Sequence, residues 1–405
     1  MKILAISQVY WPDTASVSQH LADLLEAFAS RGSNVSVISS RNDYESPKTK
    51  YSRSQSQNGV QIFRVLGTSF GKKSKLGRLI DFISFNISLT FALLLYPKGR
   101  YDTIIGMTTP PLVSYIGAKI ARYKNKKFVY WTMDLQPELS IIAGYLKANG
   151  KSANSLQKKG DYVFSNSDLI ITLDQFMRTH IERRLKQKAI IQVIPVWPVM
   201  KERYQGSRED NPFRVRHKFE DKIVIMYSGN HSVMHPIATL LDAALALRDD
   251  SRFLFVHIGG GVRLNEVKYY LKKHELLNLL ILPYQPRNLI HYSLGAADIQ
   301  VVTLGNDCVG YTHPNKIYGA MFIGKPILYI GPNESHISEI LTDCEGNVSV
   351  KHGESAELIS QLSKFADMDE KTRELIGIKN QKYAETYFHP SVLVKKMVNS
   401  IESIE

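Results

Sequence analysis

Cysteine is almost absent from this chain, with Cys308 and Cys344 the only two among 405 residues. Two thiols so far apart, without metal-ligand spacing, exclude a disulfide framework and a zinc site and fit a reducing compartment. A secretory leader is not expected either. After Lys2 the apolar run Ile3 to Ile6 stops at Ser7 and Gln8, too short for a signal peptide. No repeat of about 20 to 50 residues suggests a solenoid. A hydrophobic content of 44% excludes a disordered chain. Acidic residues are also scarce, 38 against 51 Lys and Arg, for a net charge of +13. The shortfall lies wholly in the first half: residues 1–200 hold 27 basic and 13 acidic residues, the remainder 24 and 25. Such asymmetry points to a polyanionic partner or to a solvated basic face. No basic stretch interleaved with aromatics and no nucleic-acid motif occurs, so a nucleic-acid partner is not expected.

At about 100–200 residues per domain, the length allows two or three domains. The opening reads β-α-β: Lys2 to Val9, then Leu21, Leu24, Leu25 and Phe28 at helical spacing, Gly32 as a stop, and Val35 and Val37 resuming a strand. Strands are expected at Thr103 to Met107, Phe128 to Thr132 and Asp168 to Leu173, with a helix over Pro111 to Tyr123. A polar stretch after Pro198, running to about His217, reads as a linker. A second alternating series follows, with strands at Ile223 to Tyr227, Phe253 to Ile258, Ile299 to Thr303 and Pro326 to Ile330, and helices over Ile237 to Leu247 and Glu266 to His274. Strands alternating with helices imply parallel sheets covered on both faces. The expected class is α/β, with two doubly wound, Rossmann-like domains facing a cleft. The expected boundaries are 1–200 and 201–385, with a terminal helix in 386–405 packing back on the first domain. In such sheets ligands sit beyond the carboxyl ends of strands.

Three loops there carry candidate chemistry. Tyr227-Ser228-Gly229-Asn230-His231 and Ile258-Gly259-Gly260-Gly261-Val262-Arg263 are glycine-rich strand-to-helix turns, fitting a phosphate or a purely structural role. In Thr312-His313-Pro314-Asn315-Lys316, Pro314 is expected as the first helical residue, which puts Asn315 and Lys316 in the first turn. A lysine there opposes the helix dipole unless an anion is bound, so an anion site is preferred to a solvated lysine. In the first half, Asp134 and Glu138 stand four apart at a strand end, where Asp134 fits either an N-cap or a cleft-facing carboxylate. The segment Gly77 to Leu95 is mostly apolar but interrupted, preceded by Lys72, Lys73, Lys75 and Arg78 and followed by Lys98 and Arg100. It is expected not to span a bilayer. Two readings stand for it: a helix in an anionic membrane interface, or a buried helix covering the first sheet.

The stretches YWTMDLQPE, MYSGNHSVMHPIATLLDAA, FLFVHIGGG, LPYQPRNLIHYSLGAADIQVV and HPNKIYGAMFIGKPILYIG, in this order along essentially the whole chain, resemble the family 4 glycosyltransferases. The closer resemblance is to the branch that builds bacterial exopolysaccharide, capsule and O-antigen, similar to fucosamine and colanic-acid transferases. The resemblance implies the two-domain GT-B fold. It also implies retaining transfer of a sugar from a nucleotide sugar, a UDP-sugar being expected, to a saccharide or lipid-linked acceptor without metal or other cofactor. The implied catalytic residues are Asp134 and Lys316. Donor contacts fall on Ser16, Gly229, Asn230, His235, Gly260, Arg263, Tyr284, Gln285, His313, Asn315 and Lys316, and acceptor contacts on Asp134 and Glu138. The chain also departs from the family. The arginine and lysine common in the second domain's glycine loop fall on Asn230 and His235. The two glutamates eight apart fall on Tyr311 and Gly319, and the glycine-rich loop of the first domain reads Asp13-Thr14-Ala15-Ser16. Diphosphate neutralisation is then expected of Lys316, aided by Arg263, His235 and helix-terminal amides. The expected location is cytoplasmic, peripheral on the inner membrane. The competing expectations are a nucleotide-sugar epimerase of similar fold and a basic nucleic-acid or membrane-binding protein without transferase activity.

Overall fold

The structure is a computed structural model that describes residues 1–405 except 14, 44–48, 72–74, 201, 220 and 405, together with the side chain of residue 75. Thr14, Lys72 and Lys73, named above, lie outside the described residues. The chain divides into two compact units. Unit 1 comprises Met1–Pro195, Gly310–His313 and Pro390–Glu405; unit 2 comprises Val196–Val309 and Pro314–His389.

Unit 1 holds an eight-stranded sheet: β1 (Lys2–Ile6), β2 (Asn34–Ser40), β3 (Ser54–Gln57), β4 (Val60–Val65), β5 (Thr103–Met107), β6 (Lys127–Trp131), β7 (Leu169–Thr172) and β8 (Ile191–Val193). The order across the sheet is β3-β4-β2-β1-β5-β6-β7-β8, and every pairing is parallel except β3 with β4. The strands at its centre are buried along almost their whole length, as expected for a parallel sheet covered on both faces. Leu21, Leu24, Leu25 and Phe28, the spaced residues of the first helix, are all fully buried. Each such side chain contributes about 1.5–3 kcal/mol. The helix Pro390–Glu402 belongs to this unit, where Arg31 donates to Asn399 and Glu402 at 3.0 and 3.2 Å.

Unit 2 holds a six-stranded, all-parallel sheet: β9 (Ile223–Asn230), β10 (Phe253–Gly260), β11 (Leu279–Leu282), β12 (Ile299–Thr303), β13 (Ile327–Ile330) and β14 (Val348–Val350), in the order β11-β10-β9-β12-β13-β14. The stretch read as a linker is in part a folded element. The helix Pro212–His217 is N-capped by Asn211 and buries Phe213 and Arg214. Arg214 pairs with Asp298 at 3.1 Å and donates to the carbonyls of Ala296 and Phe219, and Arg208 holds the same carboxylate at 2.7 Å. A buried arginine satisfied in this way reads as polar linker in the sequence because only the folded partners make it core.

Candidate active site

In unit 2 the strand order reverses between β9 and β12, so the loops leaving these two strands lie at the topological switch point where open parallel sheets bind ligands. The loop after β9 carries Gly229, Asn230 and His235. The helix Lys316–Phe322 follows β12 through residues 304–315. Lys316 is its first residue, with Asn315 as the N-cap in a helical conformation. Pro314 is therefore not the first helical residue as expected, and the helix begins two positions later. With only seven residues, this helix offers a weaker terminal dipole than the sequence reading assumed, so the lysine charge matters more.

Gly229 makes room for that lysine. Its φ is +127°, and a Cβ there would lie 2.8 Å from Lys316 Cε. With the glycine in place, Lys316 Nζ lies 5.0 Å from the centroid of the Tyr227 ring and donates to the Asn230 carbonyl at 3.4 Å. No carboxylate among the described residues pairs with it. Burial lowers its pKa to about 8. A half-buried ammonium balanced only by a ring face and a carbonyl is an incomplete ion pair, and an anion completes it.

His235 does not supply the second charge expected of it. Its Nδ1 donates to the Thr303 carbonyl at 2.8 Å. Burial first, then the Lys316 charge, push its pKa well below the usual histidine value. The ring is neutral, and with the proton on Nδ1 the other nitrogen, Nε2, carries a lone pair. Nε2 can accept from a hydroxyl but cannot neutralise a phosphate. Arg263 is also engaged: it pairs with Glu266 at 2.7 Å and donates to the Val233 carbonyl at 3.1 Å, tying the loop after β9 to the helix Leu264–His274. Beneath the loop, His231 Nε2 and His257 Nδ1 lie 3.1 Å apart, both fully buried. Burial takes these rings to about 4 and about 3, so they form a neutral floor. The sequence reading missed this pair. Its signal is a histidine inside the otherwise apolar β10 and another just past the end of the neighbouring β9.

Tyr284 is half exposed, with its ring over Gly259 and Gly260, where added Cβ atoms would stand 3.1 and 3.2 Å from it. Gln285, beside it, is partly buried and donates to the Pro283 carbonyl at 2.8 Å. The structure thus collects Gly229, Asn230, His235, Gly260, Arg263, Tyr284 and Lys316 at one end of the unit 2 sheet. Gly319 and Asn315 lie on or beside the helix that carries Lys316.

The remaining candidates belong to unit 1, except that Tyr311 and His313 reach it from the segment Gly310–His313. This segment is built into unit 1 closely. Gly310 has φ +72°, and a Cβ there would meet His180 at 2.5 Å and the Phe176 backbone at 2.7 Å. Tyr311 stacks on His180 at 4.2 Å, and its carbonyl accepts from Leu135 N at 2.8 Å. His313 Nδ1 lies 2.8 Å from Asp174 Oδ2, both buried, while Asp174 Oδ1 caps the helix Gln175–Arg184. His313 is therefore engaged within unit 1. Asp134 follows β6 directly. Its Oδ1 accepts from Thr312 Oγ1 at 2.7 Å, and burial raises its pKa above the ordinary carboxylate value. The helix that follows, Glu138–Ile142, is capped by Pro137, so Asp134 is no N-cap. Glu138 is engaged by Arg184 at 2.9 Å, and Arg184 also holds Asp161 at 2.8 Å. Ser16 opens the helix Ser16–Ser30, where its hydroxyl and carbonyl lie 3.2 and 2.8 Å from His20 Nδ1.

No family model matches the chain. It is 25% identical over 268 residues to a probable glycosyltransferase, WbjE, of Pseudomonas aeruginosa, a match spanning 66% of either chain and so just under two thirds of that relative's length. It is 23% identical over 339 residues to the putative colanic acid biosynthesis glycosyl transferase WcaI of Escherichia coli K12, covering 80% of this chain and 82% of that one. Among solved structures, Anabaena HepE in complex with UDP-glucose superposes over 100% of both chains with a TM-score of 0.72 at 16% identity. The fold is GT-B. Its likeness in sequence is to two named glycosyltransferases, one of them of colanic acid biosynthesis. In this chain the glycine loop reads Gly229-Asn230 and His235, with Lys316 beside Gly229.

Proposed function

We propose that the chain is a retaining glycosyltransferase that moves a sugar from a nucleotide sugar to an acceptor hydroxyl in the synthesis of a bacterial surface polysaccharide. The observation that carries this reading is Lys316, a half-buried ammonium with no carboxylate partner among the described residues, at the switch point of the unit 2 sheet. The Anabaena structure crystallised with UDP-glucose has this fold, which supports a UDP-sugar as donor. Lys316 holds the diphosphate and gains strength as the anomeric C–O bond breaks and charge collects on the leaving oxygens. The acceptor oxygen forms the new bond on the same face, and its proton passes to the departing phosphate, so no protein nucleophile is required. His235 Nε2 accepts from a sugar or ribose hydroxyl. The Tyr284 ring and the backbone of Gln285 hold the base. Asp134 orients the acceptor through the carboxylate oxygen that Thr312 leaves open. The acceptor is a saccharide or a lipid-linked saccharide, and Lys316 supplies the positive charge at the diphosphate.

The test is a panel of nucleotide sugars and free nucleotides scored by protection against thermal unfolding, since a ligand that binds the native state raises its stability. UDP and at least one UDP-sugar should raise the melting temperature. If no nucleotide sugar did so, the reading would fail.

A further inference from the structure

The helix Lys75–Leu95 of unit 1 is apolar on two opposite faces. One face belongs to the core: Phe85, Leu89 and Leu93 are fully buried. The other carries Leu76, Leu79, Ile83, Ile87, Phe91 and Leu94 at spacings of three and four residues. All six are exposed, between 45% and 66%. Six large exposed side chains in one row form a contiguous apolar patch, and patches of this kind mark interaction sites. The buried face fits the reading of a helix that covers the first sheet, and that reading does not account for the exposed row.

Three features make this row a fixed platform. Lys124 Nζ donates to the carbonyls of Leu93, Leu94 and Tyr96 at 2.8, 3.0 and 2.8 Å, capping the end of the helix with a buried charge. At the other end the Asp81 carboxylate accepts from the amides of Phe70 and Gly71 at 3.0 Å, pinning the preceding loop. Near the row, the Thr90 hydroxyl donates to the Asn86 carbonyl at 2.8 Å and the Ser84 hydroxyl to the Asp81 carbonyl at 3.1 Å. The surroundings of the row are basic. Arg78, Lys98 and Arg100 are exposed near its ends, and Asp81, engaged by the loop amides, is the sole acid between residues 75 and 100.

We infer that this face lies on an anionic phospholipid surface, with the row Leu76 to Leu94 in the acyl boundary and Arg78, Lys98 and Arg100 among the headgroups. An apolar row with cations at both ends matches a bilayer interface, apolar below and anionic at headgroup level. A second copy of this chain would bring the same cations together around a symmetric contact, where like charges repel. The inference rests on the surface of unit 1 alone and is independent of the donor reading.

The test is co-sedimentation of the full chain with phosphatidylcholine vesicles that contain or lack phosphatidylglycerol, at low and high salt. Wild type should sediment at least about tenfold better with anionic vesicles, and salt should weaken that preference. Ile83→Gln combined with Ile87→Gln and Phe91→Gln should abolish sedimentation while leaving the far-UV spectrum and nucleotide-dependent melting unchanged, since these side chains point away from the core. Arg78→Gln combined with Lys98→Gln and Arg100→Gln should remove the preference for anionic lipid. Failure of wild type to sediment, or equal sedimentation with both vesicles, overturns the inference. So does a wild-type dimer that the apolar variant converts to a monomer with no change in lipid binding.

Discussion

Lys316 Nζ stands 5.0 Å from the centre of the Tyr227 ring, and among the described residues only a carbonyl oxygen, that of Asn230, accepts from it. Removing the charge should cost binding and catalysis rather than folding. Lys316→Ala is expected to lower turnover about 100-fold, the scale for losing one charge contact to a developing anion. Steady-state kinetics beside a melting curve checks this.

The same lysine should give nucleotide binding and stability opposite pH trends. Its pKa is lowered to about 8 by burial, and it must be protonated to hold a diphosphate. Affinity of the free chain for UDP should therefore decline as pH rises through about 8. Folding runs the other way: the unfolded lysine keeps its proton to higher pH, so between the two values the unfolded state binds more protons and stability rises with pH. Both trends should vanish in Lys316→Met. Lys316→Arg should keep UDP affinity across the range, because its guanidinium stays charged. Titrations and melts from pH 7 to pH 10 provide the comparison.

His235→Lys restores a cation where the ring is held neutral by burial and by its bond to the Thr303 carbonyl. Donor affinity should rise about tenfold, the worth of one charge-assisted hydrogen bond. Unchanged affinity for UDP would place the His235 side chain away from the diphosphate.

Asp134→Asn should leave donor affinity intact and reduce transfer about 100-fold, because an amide oxygen still accepts from Thr312 but brings no negative charge to the acceptor. Stability should change by less than about 1 kcal/mol. A loss of UDP affinity with normal turnover at saturation would instead assign Asp134 to the donor.

Gly229→Ala forces a side chain into a backbone conformation at φ +127° and against Lys316 Cε. Destabilisation of about 1–3 kcal/mol is expected, together with weaker UDP binding as the lysine is displaced. Melting and calorimetry separate the two effects.

The inner strands β1, β2, β5, β6, β7, β9, β10, β12 and β13 are legible in the sequence because parallel strands buried on both faces read as short apolar runs, such as Ile299 to Thr303. Strands β4, β8, β11 and β14 are not among those expected. The edge of the first sheet is not legible either, because β3 reads Ser-Gln-Ser-Gln, half exposed and without an apolar signal. The sequence singles out Lys316 as an anion-site candidate through its misfit with the helix dipole. The start of its helix is not legible, because Gly310–His313 is drawn into unit 1 and the chain turns helical only after Asn315. His235 and Arg263 look alike in the sequence as candidate cations. Only the Thr303 carbonyl and the Glu266 carboxylate reveal that one is neutral and the other already paired. Glu138 likewise reads as a free acid until Arg184, distant in sequence, is seen against it. The helix Lys75–Leu95 is ambiguous because periodicity identifies an apolar face but cannot count two.

The most direct measurement of the central claim is a calorimetric titration of UDP into wild type and into Lys316→Ala at pH 7. Saturable binding by wild type, weakened at least about tenfold in the variant by loss of one charged contact, is the expected result. Equal affinity of the two proteins for UDP would contradict the account.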